Sequence, residues 1–515
     1  MQNLWTRFQL VTRVGLILGG ALFLIQHGTW AAQAQGANTL APTAPFVQFS
    51  DVTRQAKLPR VKARTRGIAW GDFDNDGWQD LFVGHHAARP DLFRNQGDGT
   101  YVNVTASAGI DVLTDRHACQ WGDFNNDRWI DLYCSAGAAR GMGSKPNQLW
   151  QNNGAGSFQD VAASMGVIDG VGRGRSVNWF DYNNDGLLDL FLGNALRSDG
   201  ASQNRLYRNE GATFSDVAAQ VGLIMSFSAV ASAVTDYNQD GLWDLGIATD
   251  EAIYLFKHTA ADAFREQSPR KTGLQVQALD ALTWGDYDND GYADLAVAAR
   301  SGAIKLFHNN RNGKFSDVTS RAKIPQAALP AQAARWADLN NDGWLDLLIV
   351  RRGVTHTPNA PDLLLQNLGN GAFKDVTGRA RLAGPAQGQG ETVAAADYDN
   401  DGFLDLFVNN GAGAIGSGFL YRNLGNANHW LTLQLRGTRS NALAIGSKIW
   451  VTTDNKTQYR EYLYENSNSG QSAIRAHFGL AQDTIIQVIK IRWPDGQVQE
   501  LLDVPADQHL VIEQP

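Results

Sequence analysis

The feature that most constrains this chain is an acidic loop of nine residues that occurs seven times. Its form is Asp-x-Asp/Asn-x-Asp-x-x-x-Asp, and six copies have glycine at the sixth position. The first aspartates of successive copies are 50 to 59 residues apart. Self-similarity at such a period indicates a repeat architecture, and this length suits one four-stranded β-propeller blade. We therefore interpret most of the chain as seven copies of one β-unit.

Each copy contains the signals of four short strands. An apolar stretch, usually with a tryptophan, precedes the loop, and a β-type run follows it, which predicts a hairpin. A strand of the form Leu-aromatic-x-Asn comes next, as at residues 92–95 and 206–209, and a strand similar to Phe-x-Asp-Val-Thr ends most copies. We expect the tryptophans to pack between units rather than to form a sugar-binding platform.

The seventh copy lacks its fourth strand, whereas a spare copy of that strand, residues 49–53, precedes the first loop. We predict that the spare strand pairs with the seventh unit and closes a seven-bladed β-propeller over residues 46–426, because closure leaves no unit with an unpaired edge. An open solenoid is the alternative, but it does not explain why a strand is missing at one end and present at the other.

Beyond the repeats, the C-terminal region has the pattern of a separate small β-domain. Alternating apolar and polar residues predict strands at 430–435, 448–453, 486–493, 498–502 and 510–512. The fold class is therefore all-β, with a β-sandwich-like domain over residues 428–515 following the propeller.

The N-terminal residues have the pattern of a secretory signal peptide. Arg7 and Arg13 precede an apolar run at 14–25 and small residues up to Ala34, so we predict cleavage after residue 34 and no transmembrane segment in the mature chain. An uncleaved anchor is the alternative, although the apolar run is short for a bilayer crossing. The predicted location is secreted, periplasmic or at the cell surface. A net charge of −8 argues against nucleic acid as a partner.

The acidic loops have the donor pattern of a calcium site. Oxygen-bearing side chains at positions 1, 3, 5 and 9, a backbone carbonyl at position 7 and a turn glycine at position 6 can surround one hard cation. Magnesium demands stricter octahedral geometry, and zinc prefers histidine or cysteine. The loops are not EF-hands, because position 12 is never glutamate. We predict up to seven Ca²⁺ ions, structural in role, with simple polar turns as the alternative.

The predicted metal ligands, from the first loop to the seventh, are Asp72, Asp74, Asp76, Asp80; Asp123, Asn125, Asp127, Asp131; Asp181, Asn183, Asp185, Asp189; Asp236, Asn238, Asp240, Asp244; Asp286, Asp288, Asp290, Asp294; Asp338, Asn340, Asp342, Asp346; and Asp397, Asp399, Asp401, Asp405. Loops 1, 5 and 7 carry aspartate at position 3 and hold one more negative charge, so we expect them to bind calcium more tightly. Loop 2 has Arg128 in place of the turn glycine and is expected to bind most weakly.

The loops and the C-terminal region resemble a known family. The repeats are similar to the FG-GAP/VCBS repeats of integrin α-subunit propellers, and the tail resembles the ASPIC/UnbV domain at residues 428–431, 444–446, 477–480 and 492–496. The combination is similar to the cartilage acidic protein family and its bacterial relatives. This resemblance implies extracellular calcium-binding proteins with roles in adhesion or interaction, and it carries over the loop aspartates but no catalytic residue.

Two other groups of residues were candidates for chemistry. Cys119 and Cys134 flank loop 2 and could face each other across a hairpin, so a disulfide and a pair of buried thiols are both open. His85, His86 and His117 could suggest a second metal site, but we expect scattered surface histidines there.

The sequence favours a binding function over catalysis. We predict an exported calcium-binding scaffold whose partner is an extracellular protein or glycan, with an oligomeric state that the sequence does not determine. The alternative is an enzyme, for example in natural-product tailoring, with its site in the propeller channel or at the junction with the C-terminal domain. A convergent group of acid, base and arginine in that channel would favour the enzyme.

Overall fold

The structure is a computed structural model that describes residues 46–59, 65–137, 145–197, 199, 202–225, 227–276, 279–299, 301–326, 330–352, 361–384, 390–410, 418–467 and 469–515. The predicted signal peptide, residues 1–34, lies outside the described residues. In the described part of the chain, no helix is long and apolar enough to cross a membrane.

The described chain is all-β apart from two short helices, α1 (Pro269–Thr272) and α2 (Thr377–Ala380). A first strand, β1 (Phe49–Asp51), precedes seven repeated units. The units contain, in order, β2 (Thr65–Gly71), β3 (Asp80–His85), β4 (Asp91–Asn95), β5 (Tyr101–Asn103); β6 (Arg116–Gly122), β7 (Asp131–Ala136), β8 (Gln148–Asn152), β9 (Phe158–Asp160); β10 (Gly174–Phe180), β11 (Asp189–Asn194), β12 (Arg205–Asn209), β13 (Phe214–Asp216); β14 (Ala231–Thr235), β15 (Asp244–Ala248), β16 (Ile253–Thr259), β17 (Ala263–Gln267); β18 (Leu279–Gly285), β19 (Asp294–Ala299), β20 (Ile304–Asn309), β21 (Phe315–Asp317); β22 (Ala331–Ala337), β23 (Asp346–Arg351), β24 (Leu363–Asn367), β25 (Phe373–Asp375); and β26 (Gly390–Ala396), β27 (Asp405–Asn410), β28 (Phe419–Asn423).

Each unit is an antiparallel sheet in which strands pair in chain order. The acidic loop is the connection between the first and second strands, with Gly71 opposite Asp80 in unit 1. First strands are almost wholly buried, and those of successive units lie side by side; β26 also contacts β2. As expected, Trp70, Trp121 and Trp179 are buried, and Trp121 stacks on Phe73 of the preceding unit.

The predicted pairing of the spare strand with the seventh unit is confirmed. β1 pairs antiparallel with β28, with Phe49 opposite Asn423 and Asp51 opposite Tyr421. The first residues of the repeat region therefore supply the fourth strand that the seventh unit lacks.

The asparagine that ends the third strand joins neighbouring units, a role that the motif alone did not reveal. In unit 2, Asn152 Nδ2 donates to the carbonyl of Phe73 in unit 1 at 2.8 Å, and Asn209 donates to Phe124 at 2.7 Å. Asn95 of unit 1 donates in the same way to Tyr398 of unit 7 at 2.9 Å. In unit 4 the position is His258, which is buried and whose two ring nitrogens have no hydrogen-bond partner.

We expect His258→Asn to stabilise the protein by about 1 kcal/mol, because the amide can restore the bond between units 3 and 4. The melting temperature should rise by roughly 1–2 °C for a chain of this size. The reciprocal change Asn209→His should lower it. A lower melting temperature for His258→Asn would contradict the role assigned to these asparagines.

The C-terminal region forms two sheets around one core. The strands are β29 (His429–Arg436), β30 (Ser447–Thr452), β31 (Thr457–Tyr462), β32 (Asn466–Ser467), β33 (Gly470–Gln471), β34 (Ala476–Ala481), β35 (Ile485–Arg492), β36 (Val498–Pro505) and β37 (Gln508–Glu513). One sheet has the order β34-β29-β37 and the other β31-β30-β35-β36. The five predicted strands are all present, whereas β31, β34 and the β32–β33 hairpin were missed.

The β32–β33 hairpin joins the sheet of unit 1 instead of either C-terminal sheet. β33 pairs parallel with β2, with Ile68 opposite Gly470, and β32 contacts the first strands of units 4 to 7. Gln471 accepts a hydrogen bond from the backbone of Trp121 at 2.7 Å. Buried Arg335 of β22 donates to the carbonyls of Glu465 and Gly470 at 3.0 and 3.1 Å. The hairpin therefore lies among the first strands of the units. There it forms hydrogen bonds with backbone groups of those strands that would otherwise be unpaired.

Candidate metal centres

The position 1 carboxylate organises each acidic loop. In loop 1, Asp72 Oδ1 accepts from the backbone of Asp76 at 3.0 Å and Oδ2 from Gly77 at 2.9 Å. Asn75 and Gly77 have φ angles of 56° and 91°, in the region that favours asparagine and glycine. Arg128 must adopt a φ of 70° at the glycine position of loop 2, which costs about 1 kcal/mol.

The position 9 aspartate is the buried anchor of the loop. Asp80 accepts from the backbone of Asn95 at 2.8 Å and of Phe73 at 3.0 Å. Burial raises the pKa of Asp80 well above its usual value, and it raises the pKa of Asp131 in loop 2 to about 9. Such carboxylates are costly to ionise without a compensating cation.

Loops 1, 5 and 7 contain carboxylate oxygens that lack any donor. Oδ1 of Asp74, Asp288 and Asp399 is buried and has no hydrogen-bond partner. Each belongs to a cluster of three aspartates whose nearest oxygens all lie within 4.8 Å of one another. Buried oxygens that converge without a proton or cation between them repel one another, so these donor sets fit a hard, oxygen-preferring cation.

The asparagine-containing loops satisfy part of their own charge. The position 3 amide donates to the position 5 carboxylate at 2.8 Å in loops 2, 3 and 6, as from Asn125 to Asp127. In loop 4, Lys448 of the C-terminal region donates to Asp236. Basic side chains also approach two aspartate loops, since His308 Nδ1 lies 3.2 Å from Asp288 and Arg422 lies 3.1 Å from Asp401.

Neighbouring loops are hydrogen-bonded to one another. The position 4 side chain of one loop donates to the position 6 carbonyl of the next, as from Asn75 to Arg128 at 3.2 Å and from Asn400 of loop 7 to Gly77 of loop 1 at 3.3 Å. The same bond is formed by Asn126, Gln239, Asn289 and Asn341. Six of the seven junctions between neighbouring loops therefore carry this bond, and each loop is bonded to at least one neighbour.

The C-terminal region contacts this set of loops. Arg475 donates to Gly77 and to Asn400, both at 2.9 Å, and Lys456 donates to the carbonyl of Asp342 at 2.5 Å. Asn126 of loop 2 accepts from the backbone of Ala442 at 2.8 Å. The sequence gives no signal for these contacts, because the partners are 75 to 398 residues apart.

Cys119 and Cys134 are directly opposed across β6 and β7 and are joined as a disulfide, with Cα atoms 4.1 Å apart. The bond stays a prediction for the protein in solution. We expect a thiol assay on denatured, unreduced protein to find no free thiol and two after reduction. Two thiols before reduction would show that the pair is not bonded.

The repeats and the C-terminal region each match a known protein family. A family model described as FG-GAP-like repeat matches residues 72–134, 135–192, 236–297, 286–349 and 354–408, together more than half of the chain. The chain belongs to the FG-GAP-like repeat family. A second model, described as ASPIC and UnbV, matches residues 437–515. Both halves of the predicted resemblance are thus confirmed.

The FG-GAP chain is homologous to cartilage acidic protein 1. It is 24% identical over 415 residues to the Mus musculus and Homo sapiens proteins, covering 80% of this chain and 47% and 46% of those proteins. It is 29% identical over 202 residues to the Xenopus tropicalis protein, covering 36% of this chain and 29% of that protein. The chain thus spans about half the length, or less, of the curated relatives that it matches.

Among solved structures, the FG-GAP chain is similar to an Agrocybe aegerita lectin described as recognising non-reducing terminal N-acetylglucosamine. Their identity is 17%, the match covers 62% of this chain and 84% of the lectin, and the TM-score is 0.43. Similarity to BBS1N, solved in complex with ARL6DN, has 10% identity, covers 71% and 94% of the two chains and has a TM-score of 0.46.

Proposed function

We propose that this chain is an exported scaffold in which a closed seven-bladed β-propeller, held by Ca²⁺ at its acidic loops, presents a surface to an extracellular protein or glycan. The observation that carries the proposal is the buried, unpartnered Oδ1 atom at position 3 of loops 1, 5 and 7. The same atom is left without a donor in three separate loops, which a chance polar turn does not explain.

Closure of the propeller is supported by three contacts between the last and first units. β26 contacts β2, Asn95 donates to Tyr398, and Asn400 donates to Gly77. Together with the pairing of β1 and β28, these contacts favour a closed ring, which would lack the free edges of an open array.

Calcium would be held by the side chains at positions 1, 3, 5 and 9, and its charge would offset carboxylates that are otherwise buried against one another. In loop 1 these are Asp72, Asp74, Asp76 and Asp80. The role is structural, because the loops are bonded to one another and are contacted by the C-terminal region, so a bound ion would rigidify both. Partner binding would then depend on calcium only through the shape of the protein.

Native mass spectrometry of calcium-equilibrated protein should show several bound Ca²⁺ ions, and Asp74→Asn should bind one of them more weakly. A screen of glycan arrays and extracellular-protein libraries should then give binding that calcium strengthens. Failure to retain any calcium in millimolar calcium buffer would overturn the metal proposal. Calcium retention without any binder in either screen would count against the scaffold alone.

An enzyme is the second candidate, because the starts of the first strands bring acid, base and arginine together. Arg66 and Arg175 donate to His117 Nδ1 at 3.2 and 2.8 Å, and Arg66 lies 3.4 Å from Glu391. Burial, together with the neighbouring guanidiniums, lowers the pKa of His117 to about 3.

A further inference from the structure

Three side chains of units 1 and 2 converge at the strand ends remote from the acidic loops. His86 follows β3, while Asp115 and His117 lie at the start of β6. One ligand atom of each of the three side chains lies within 4.8 Å of those of the other two, and Nδ1 of His86 and Nε2 of His117 both face Oδ1 of Asp115. The expectation of scattered surface histidines was therefore wrong here, since His117 is only 5% exposed and faces a second histidine.

The three atoms are buried and lack hydrogen-bond partners. His117 Nε2 is 3.3 Å from Asp115 Oδ1, and His86 Nδ1 contacts the same oxygen, but neither contact has the geometry of a hydrogen bond. Asp115 is only 8% exposed. Buried polar atoms without partners are rare in native proteins and indicate a missing ligand or water.

The surroundings hold the donors in place and leave space beside them. The guanidiniums of Arg66 and Arg175 donate to Nδ1 of His117, which turns Nε2 toward Asp115. A Cβ atom at Gly137 would lie 2.3 Å from that Nε2 and 2.6 Å from Asp115 Oδ2, so only glycine leaves this side of the donors open.

We propose that His86, Asp115 and His117 form a binding site for a transition-metal dication of the Zn²⁺ class. Two imidazole nitrogens and one carboxylate oxygen are a three-ligand set that zinc uses when a fourth position is left to water or substrate. The nine-residue acidic loops themselves supply oxygen donors and suit calcium, with His308 beside loop 5 as a neighbouring nitrogen donor, so the two kinds of site favour different ions. This site does not depend on the calcium proposal.

The arginine contacts predict a property of the site. Both guanidiniums donate to Nδ1 of His117. A neutral imidazole that binds a metal ion through Nε2 carries its proton on Nδ1, so metal binding should break the contacts of Arg66 and Arg175 with that nitrogen.

The test is a Co²⁺ titration of the full chain in excess Ca²⁺, which keeps the acidic loops filled. We expect one equivalent of Co²⁺ to bind with visible absorption bands, and Zn²⁺ to displace it. His86→Ala should weaken binding about 100-fold or more without changing the melting temperature, because His86 is the least buried of the three ligands. His117→Gln should have the same effect on binding.

His429→Ala is the matched control, since His429 also pairs with a carboxylate, that of Asp507 at 2.6 Å, but lies outside the cluster. It should leave Co²⁺ binding unchanged. If His117→Gln does not fold, His86→Ala alone decides the outcome. Absence of Co²⁺ binding, or binding that His86→Ala leaves intact, would overturn the site.

Discussion

Removing calcium is expected to lower the melting temperature of this protein by roughly 10 °C. An ion present at ten to a hundred times its dissociation constant stabilises the folded state by about 1.5–2.5 kcal/mol, and seven such sites add to a large effect even in a chain of this size. Thermal unfolding in calcium and in chelator measures the difference. Equal melting temperatures in the two buffers would contradict the calcium proposal.

The variant Asp74→Asn distinguishes the contribution of the bound ion to stability from that of the loop itself. It converts loop 1 to the pattern of loop 2, in which Asn125 donates to Asp127. In chelator we expect the variant to be more stable than the wild type, because an unpartnered buried carboxylate is replaced by an amide with a partner. Adding calcium should stabilise the variant less than it stabilises the wild type. Asp495→Asn, in an exposed turn of the C-terminal region, should change neither value.

The metal-free protein should also lose stability as the pH rises. Burial raises the pKa of Asp72 to about 6, of Asp181 to about 7 and of Asp286 to about 8. The folded state therefore binds more protons than the unfolded state between about pH 4 and pH 8, so the free energy of unfolding falls as pH increases across that window. Calcium should flatten this dependence. A metal-free protein that becomes more stable from pH 6 to pH 8 would contradict the assignment.

The elements with a local or repeated sequence signal could be predicted from the sequence. The hairpin around each acidic loop, the displaced strand at residues 49–51 and five C-terminal strands all follow from short patterns of apolar residues and turns. The spacing of the motif is likewise enough to assign four predicted ligands to each loop. The unpartnered oxygens of Asp74, Asp288 and Asp399 occur in the three loops that are expected to carry the most negative charge.

Sequence reasoning failed where tertiary contacts decide the structure. The polar residues of β32 and β33 carry no strand pattern, yet 466–467 and 470–471 form a hairpin because β2 offers β33 a partner edge. The contact of Lys448 with Asp236 joins residues 212 positions apart, and His86 meets His117 only because units 1 and 2 are adjacent. No local sequence pattern predicts such tertiary contacts.

Replacing Arg335 by leucine should destabilise the protein by about 3 kcal/mol. Arg335 is 1% exposed, and its guanidinium is the donor to the carbonyls of Glu465 and Gly470 and lies 3.1 Å from the Glu465 carboxylate. Leucine would leave two carbonyls without that donor among the first strands, a loss comparable to breaking a buried charged pair. The β32–β33 hairpin should then detach locally and become a site of limited proteolysis.

Two further variants test the physical reason for this loss. Glu465→Gln keeps both carbonyl contacts and removes only a charge whose side chain is half exposed, so it should cost less than 1 kcal/mol. Arg265→Leu, on an exposed position of β17, should leave stability and the cleavage pattern unchanged. If residues 465–471 of Arg335→Leu resist proteolysis as well as those of the wild type, the arginine does not hold the hairpin in place. Hydrogen bonds from Arg335 are thus expected to outweigh its ion pair, because Gly470 is buried whereas the side chain of Glu465 is half exposed.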